Sequence, residues 1–260
     1  MKILVFGDIF AKYGRKLIVD ELSNIKAEYK ADFVIANGEN SANGKGITRK
    51  VYNELIGCGI DVITSGNHIW DNKDIYNFIQ EEDRILRPSN YPAPCPGRGY
   101  EIYRVGKVRV GVVNLSGTTY LNPLDNPFEE AERIYEEIKN ITDIIMLDFH
   151  AEATSEKIAM GYFVDGKFSG VYGTHTHVQT ADNMVLSGGT GYLTDVGMCG
   201  SVDGVIGVDR DFIVKKFKVQ RPAGKYALAE GRRQINGAVF TFDDSTFKCV
   251  DVERIYKIYD

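Results

Sequence analysis

The histidines of this chain stand in positions that favour metal binding. The 260 residues include only four of them. Two lie one residue apart in Gly173-Thr174-His175-Thr176-His177, and this spacing at a predicted strand end lets two imidazoles serve two adjacent metal ions. His68 follows Gly66-Asn67, and His150 closes the apolar run over 144–149. One histidine beside apolar residues is more often structural than a ligand, but four in comparable settings favour the ligand interpretation.

Carboxylates and amides occupy equivalent places along the chain. Asp8 follows the apolar run over 3–6, and Glu39 and Asn40 follow the run over 33–36. Taken singly, such residues are more often helix caps, surface carboxylates or loop residues. Taken together with the histidines, they form a set of oxygen and imidazole donors without a thiolate: Asp8, Glu39, Asn40, Asn67, His68, His150, His175 and His177.

This donor set predicts a dinuclear hydrolytic centre. Oxygen and imidazole ligands suit Fe, Mn, Zn or Mg, and the imidazoles favour the transition metals. The set is too large for one structural zinc, and a carboxylate such as Glu39 can bridge two cations about 3.5–4 Å apart. We therefore expect two metal ions, with Fe or Mn as the favoured identities.

The segments between these clusters predict alternating strands and helices. Apolar runs over 3–6, 33–36 and 61–64 are typical of strands buried on both faces, and helical spacing over 15–29 and 48–57 predicts the helices between them. Because ligands in open α/β sheets lie outside the carboxyl ends of the strands, the polar clusters are expected to meet there. Further strands are predicted over 101–105, 108–113, 143–149, 170–172, 184–186, 191–194, 238–242 and 248–256, and further helices over 126–138, from 155 and over 209–217.

A hairpin over 101–113 makes the predicted sheet mixed, and the fold class is an α/β sandwich. Loops are predicted over 87–99 and 221–223, and nothing marks a linker, so residues 1–260 are expected to form a single domain.

Composition excludes several classes of protein. A formal net charge of −5 argues against a broad electrostatic grip on duplex nucleic acid, although a small phosphate substrate held by metals remains compatible. The four cysteines lie far apart and without a C-x-x-C pair, which favours reduced thiols in the cytoplasm. The opening apolar run is too short for a signal peptide, and no stretch approaches the length of a membrane span. We expect a cytoplasmic protein without a membrane partner.

The ordered clusters resemble the motifs of the calcineurin-like metallophosphoesterases. The matching residues are Gly7-Asp8, Gly38-Glu39-Asn40, Gly66-Asn67-His68, His150 and Gly173-Thr174-His175-Thr176-His177. Two positions depart from the superfamily pattern: Phe10 stands where the first motif carries a histidine, and Glu39 stands where the second carries an aspartate. These departures, together with the segments over 195–200 and 230–237, resemble the YmdB-like branch.

The resemblance implies a single-domain αββα sandwich of mixed sheets that hydrolyses 2′,3′-cyclic nucleotides to nucleoside monophosphates. It implies that a metal-activated hydroxide attacks the phosphate while His68 acts as general acid. One metal would be held by Asp8, Glu39, Asn40 and His177, and the other by Glu39, Asn67, His150 and His175. Two alternatives stay open: a phosphomonoesterase or nucleotidase with the same centre, and a regulatory protein that senses a nucleotide and hydrolyses it incidentally.

Three other features have competing interpretations. The backbone of Gly44-Lys45-Gly46 could hold a phosphate, but a loop with positive φ is favoured. Arg232-Arg233 could reach an RNA phosphate, but surface ion pairing is favoured. The aromatic side chains are interpreted as core or interface residues, none of them in the site, and exposed ones favour a homo-oligomer.

Overall fold

The computed structural model describes residues 1–221 and 224–260. These residues contain thirteen strands and five α-helices. The strands are β1 (Lys2–Phe6), β2 (Asp8–Ile9), β3 (Phe33–Asn37), β4 (Val62–Thr64), β5 (Tyr100–Val105), β6 (Val108–Ser116), β7 (Ile144–His150), β8 (Gly170–Thr174), β9 (Met184–Val185), β10 (Gly191–Leu193), β11 (Met198–Ser201), β12 (Arg233–Phe242) and β13 (Cys249–Tyr259). The helices are α1 (Ala11–Tyr29), α2 (Arg49–Gly57), α3 (Pro127–Ile138), α4 (Thr154–Phe163) and α5 (Arg210–Val219), and a 3₁₀ helix covers Lys73–Asn77.

The strands form two mixed sheets, as the family resemblance implies. The first has the order β2-β11-β12-β1-β3-β4, with β13 paired to β12; β1, β3 and β4 are parallel, and β12 runs antiparallel to β1. The second has the order β5-β6-β7-β8-β10-β9, in which β6, β7, β8 and β10 are parallel. Both sheets therefore have the parallel strands whose carboxyl ends the predicted ligands follow.

Three apolar layers hold the sheets and helices together. Alternate residues of β1 and of β6 and β7, among them Val5, Val112 and Met146, pack between the two sheets. The other faces of the first sheet and of the second sheet are covered by α1 with α2 and by α3 with α4, respectively. Because side chains alternate between the faces of a strand, each central strand supplies both an inner and an outer layer. The αββα sandwich is confirmed.

Local signals place most helix ends correctly. Thr48 accepts a hydrogen bond from the backbone N–H of Val51 at the start of α2, and Asn126 accepts one from Phe128 at the start of α3. Helix α3 buries Ala131, Ile134 and Ile138, whereas Phe128 and Tyr135 are only half-buried.

Several boundaries differ from the sequence-based expectation. Helix α1 begins at Ala11 rather than at residue 15, and β12 begins at Arg233 rather than at residue 238. The short strands β2 and β11 were not predicted; they pair in parallel, with Asp8 opposite Met198. Strands of two and four residues have no periodicity to detect, so only the pairing defines them.

Residues 87–99 lack regular structure apart from an isolated bridge, as predicted, whereas the loop expected over 221–223 includes residues 222 and 223, which lie outside the described ranges. Arg232 pairs with Asp203 at 2.8 Å between Nη2 and Oδ1, which confirms the ion-pair interpretation for that arginine. Among the described residues, no helix combines the length and apolarity needed to cross a bilayer.

Candidate metal centre

The predicted site residues all follow or end strands at the same edge of the sandwich. Asp8 lies just beyond β1, and the segments 39–40 and 67–68 lie just beyond β3 and β4 of the first sheet. His150 is the last residue of β7, and the segment 175–177 follows β8 of the second sheet. The two sheets therefore supply ligand-type side chains from both sides of one cleft, as expected for the carboxyl ends of parallel strands.

One group of donor atoms converges on His150. Its Nε2 lies 2.9 Å from Asn67 Oδ1, 3.0 Å from His175 Nδ1 and 3.2 Å from Glu39 Oε1. Ligand atoms of Glu39, His150 and His175 all lie within 4.8 Å of one another. These four residues are the set that the resemblance implies for one of the two metals.

A second group of donor atoms converges on the amide of Asn40. Its Nδ2 lies 3.2 Å from Asp8 Oδ1, 3.1 Å from Glu39 Oε1 and 3.2 Å from His177 Nε2. Amide nitrogen and oxygen are assigned from their neighbours, and rotation of the amide by 180° presents the oxygen, which is the atom that ligates cations. Because Glu39 Oε1 belongs to both groups, the geometry matches a carboxylate shared between two ions.

The charges of this cluster fit cations. Asp8, Glu39 and His150 are at most 1% exposed. Burial lowers the pKa of His150, but the negative charges of Glu39 and Asp8 outweigh burial and raise that pKa to about 9. Burial raises the pKa of Glu39, but the nearby His150 outweighs it and the net pKa lies below the ordinary value. The negative electrostatic potential that raises the pKa of the buried imidazole also favours a metal cation among these oxygen and nitrogen donors.

A buried chain of hydrogen bonds orients His150. Thr174 Oγ1 donates to Asp148 Oδ1 at 2.7 Å, so the same hydroxyl accepts from His150 Nδ1 at 2.9 Å. This arrangement leaves Nε2 of His150 directed at the other donors, as a metal-binding histidine requires. Burial raises the pKa of Asp148 to about 6, and Asn37 also donates to its carboxylate. Sequence reasoning missed this aspartate, although an acid inside the apolar run 144–149 was a usable signal.

His175 is oriented by a residue that sequence reasoning also missed. Its Nε2 lies 2.9 Å from Glu152 Oε2, while Nδ1 faces His150. A carboxylate on the outer nitrogen of a ligating histidine fixes the ring and increases its basicity. Nothing local in the sequence around Glu152 indicates this contact, because the two residues are brought together by different strands.

The backbone of the His-Thr-His segment adopts a strained conformation. His175 and His177 have φ values of 97° and 64°, in the left-handed region that non-glycine residues rarely occupy. Asp195 holds the turn between them, because its Oδ2 accepts from Thr176 Oγ1 at 2.7 Å. Asp195 is in turn paired with Lys157 at 2.6 Å, and both side chains are at most 2% exposed. The buried ion pair therefore supports the turn that carries both histidines.

His68 lies beside the two donor groups without joining either. Its backbone N–H donates to Glu39 Oε2 at 2.9 Å, and its ring Nδ1 lies 2.9 Å from Asp71 Oδ2. Asp71 is also 3.7 Å from Lys45 Nζ. With Nδ1 engaged by Asp71, Nε2 is the ring nitrogen available to a substrate.

A cavity of about 400 Å³ lies over the donors, within the size range of small-molecule sites. Gly44 lines this cavity, and Gly44 and Gly46 have φ values of 93° and 69°, which confirms the positive-φ interpretation of their loop. The expectation that no aromatic residue belongs to the site is wrong, because Phe10 and Tyr226 line this cavity. Its remaining lining residues are Glu39, Asn40, Lys45, His68, Glu152, His175, Thr176, His177, Ile206 and Val208.

Gly66 gives the position of His150 a direct test. A Cβ added at Gly66 would lie 2.2 Å from His150 Cδ2, too close for any real contact. We expect Gly66→Ala to displace the His150 ring and to weaken metal binding by about 10- to 100-fold, the usual cost of disturbing ligand orientation. The measurement is metal content after dialysis, with Gly57→Ala as control, because a Cβ at Gly57 meets nothing within 4 Å. Full metal retention by Gly66→Ala would contradict the assignment.

Comparison with known proteins covers nearly the whole chain. The profile of the YmdB-like protein family matches residues 4–255. A 2′,3′-cyclic-nucleotide 2′-phosphodiesterase of Bacillus subtilis (strain 168) is 47% identical over 255 residues, spanning 98% of this chain and 96% of that protein.

Two solved structures share the complete fold. A hypothetical protein from Thermus thermophilus superposes with a TM-score of 0.93 at 36% identity, covering 100% of both chains. A novel phosphatase from Mycoplasma pneumoniae superposes with a TM-score of 0.92 at 34% identity, covering 99% of this chain and 93% of that one. Because the family profile matches residues 4–255 and a relative is 47% identical over 98% of the chain, this chain belongs to the YmdB-like protein family.

Proposed function

We propose that this protein is a dinuclear metal-dependent phosphodiesterase that hydrolyses 2′,3′-cyclic nucleotides to nucleoside monophosphates. The observation that carries the proposal is the pair of donor groups sharing Glu39 Oε1 beneath a cavity that His68 also lines. The substrate class is supported by the Bacillus subtilis relative, which is named for that activity.

Each donor group would hold one ion. Asp8, Glu39, Asn40 and His177 form one ligand set, and Glu39, Asn67, His150 and His175 form the other; the mixture of carboxylate, amide and imidazole favours Fe or Mn. Two ions bound there would lower the pKa of a water molecule and neutralise the phosphate oxygens.

His68 would act as the general acid. In the reaction, water oxygen forms a bond to phosphorus, one ring P–O bond breaks, and the leaving ribose oxygen needs a proton because an alkoxide is strongly basic. The backbone of His68 is fixed by Glu39, and its ring is fixed by Asp71 at 2.9 Å. The ring therefore holds one orientation in the cavity, with Nε2 free to donate.

The test combines metal analysis with an assay of 2′,3′-cyclic AMP hydrolysis before chelation, after chelation and after metal return. We expect about two transition-metal ions per chain, loss of activity on chelation and recovery on return of Fe or Mn. Protein that binds no metal under any of these conditions, or that hydrolyses the substrate equally well after chelation, would contradict the proposal.

Phosphomonoesterase activity is the second candidate, and the Mycoplasma pneumoniae structure described as a phosphatase favours it. The same ligand sets could orient a terminal phosphate. Comparing kcat/KM for 2′,3′-cyclic AMP with kcat/KM for 3′-AMP separates the two: a ratio above one supports the diesterase, and a ratio below one supports the monoesterase.

The proposal extends to organisation and location. A single domain over 1–260 is supported by the pairing of N-terminal β1 with the late strand β12 in the first sheet. A cytoplasmic location is supported by four free cysteines. A homo-oligomer is supported by large exposed side chains such as Phe217, which is 75% exposed. Light scattering of the purified protein measures the oligomeric state directly.

A further inference from the structure

Ile206 occupies a backbone position that isoleucine rarely takes. Ile206 and Gly207 have φ values of 47° and 90°, and Val205 and Val208 exchange backbone hydrogen bonds of 2.8 and 3.0 Å around them. Two central residues at positive φ define a type I′ turn, which favours Asn-Gly or Gly-Gly. A β-branched residue is a genuine outlier in this conformation, so isoleucine stands here despite the preference of the backbone.

Packing inside the fold does not explain this choice. Ile206 is 50% exposed, and its side chain belongs to the lining of the 400 Å³ cavity. The carbonyl of Ile206 accepts from His177 Nδ1 at 3.3 Å and so ties the turn to the candidate centre. That bond uses the backbone alone, so asparagine or glycine at this position would make it equally well. The half-exposed side chain is therefore available for contact with a molecule that enters the cavity.

Ile206 is part of an apolar wall formed by Phe10, Ile206, Val208 and Tyr226. Tyr226 is 49% exposed, and a Cβ at Gly44 would lie 3.0 Å from its hydroxyl and 3.1 Å from the ring of Phe10. Phe10 and Tyr226 therefore both lie against Gly44. The other lining residues are mostly polar or charged, so the cavity offers one apolar surface beside the donor groups that would bind the phosphate.

We propose that this apolar wall is the subsite for the nucleobase of the substrate, with Ile206 and Tyr226 contacting the faces of the base. The inference rests on the proposed function, because a cyclic nucleotide has a charged phosphate for the donor groups and a flat base for an apolar surface. Among the four side chains of the wall, only the hydroxyl of Tyr226 is polar. The wall would therefore contact the base chiefly through the π face of the base. Stacking of this kind tolerates every base, and we expect kcat/KM for the four 2′,3′-cyclic nucleotides to agree within about tenfold.

The test compares Ile206→Asn with the unaltered protein on two substrates, 2′,3′-cyclic AMP and ribose 2,3-cyclic phosphate, which lacks the base. We expect kcat/KM for the nucleotide to fall about tenfold, mainly through KM, and kcat/KM for the ribose compound to stay unchanged. We expect the Tm to rise, because asparagine suits the turn. Tyr226→Ala should show the same substrate dependence without the rise in Tm.

Val214→Asn is the matched control, because Val214 is an apolar residue on α5 that is 61% exposed and lies outside the cavity lining. It should leave both substrates unaffected. Equal losses on both substrates in Ile206→Asn, or no loss on either, would overturn the base subsite, and a fall in its Tm would overturn the strain argument. If the unaltered, metal-loaded protein hydrolyses neither substrate, the proposed function itself fails, which is a separate result.

Discussion

Replacing His68 with alanine is expected to reduce turnover of 2′,3′-cyclic nucleotides by about 10²- to 10⁴-fold, the usual contribution of a positioned general acid. The ribose oxygen leaves as a strong base unless a proton arrives as the bond breaks. We propose His68 as the source of that proton, because its Nδ1 lies 2.9 Å from Asp71 and neither donor group includes the imidazole. Alanine keeps the backbone N–H that donates to Glu39, so the ligand geometry should survive.

The measurement that isolates the acid is the dependence on the leaving group. His68→Ala should lose most of its rate on cyclic nucleotides and little on a bis(4-nitrophenyl) phosphate diester, whose leaving group needs no proton. Metal content should remain that of the unaltered protein. Equal losses on both substrates would count against the acid role. Asp71→Asn offers a milder companion variant, with the same leaving-group dependence and a smaller loss.

Replacing Lys157 with alanine is expected to lower the free energy of unfolding by about 3–5 kcal/mol, the usual effect of removing one partner of a buried ion pair. The ammonium of Lys157 lies 2.6 Å from Asp195, and burial already raises the pKa of that carboxyl group. Without Lys157, the carboxylate is left uncompensated among apolar and polar groups at 1% exposure. The measurement is urea unfolding at a constant metal concentration.

The buried pair should also matter for metal binding, because Asp195 accepts from Thr176 between the two strained histidines. We expect Lys157→Ala to weaken metal retention as well as stability. The double variant Lys157→Met with Asp195→Asn should regain much of the stability, since it buries no lone charge and keeps an acceptor for Thr176.

Lys16→Ala provides the exposed control for the ion pair. Lys16 pairs with Asp20 at 2.8 Å, but their side chains are 64% and 46% exposed. Removing such a pair should cost less than about 1 kcal/mol. Comparable losses in Lys16→Ala and Lys157→Ala would show that burial of the Asp195 pair does not carry the effect.

The sequence by itself predicted an α/β sandwich and the set of side chains expected at one edge of it. Short apolar runs followed by polar clusters are local patterns, and the carboxyl ends of parallel strands meet at one edge whatever the details of packing. That rule is sufficient to bring Asp8, Glu39, His150 and the His-Thr-His segment into one cleft. It also explains why the order of the motifs carried more information than any single residue.

Only the tertiary structure decided how those side chains are supported and what surrounds them. Lys157 and Asp195 are 38 residues apart, and the contact of Glu152 with His175 joins segments that follow different strands. Neither contact follows from a periodic pattern in the sequence, because each depends on how elements far apart in the chain pack together. The positive φ of Ile206 and the place of Tyr226 in the cavity likewise arise from a turn and a loop seated against the centre. Local sequence specifies which elements form, whereas long-range packing specifies which side chains meet between them.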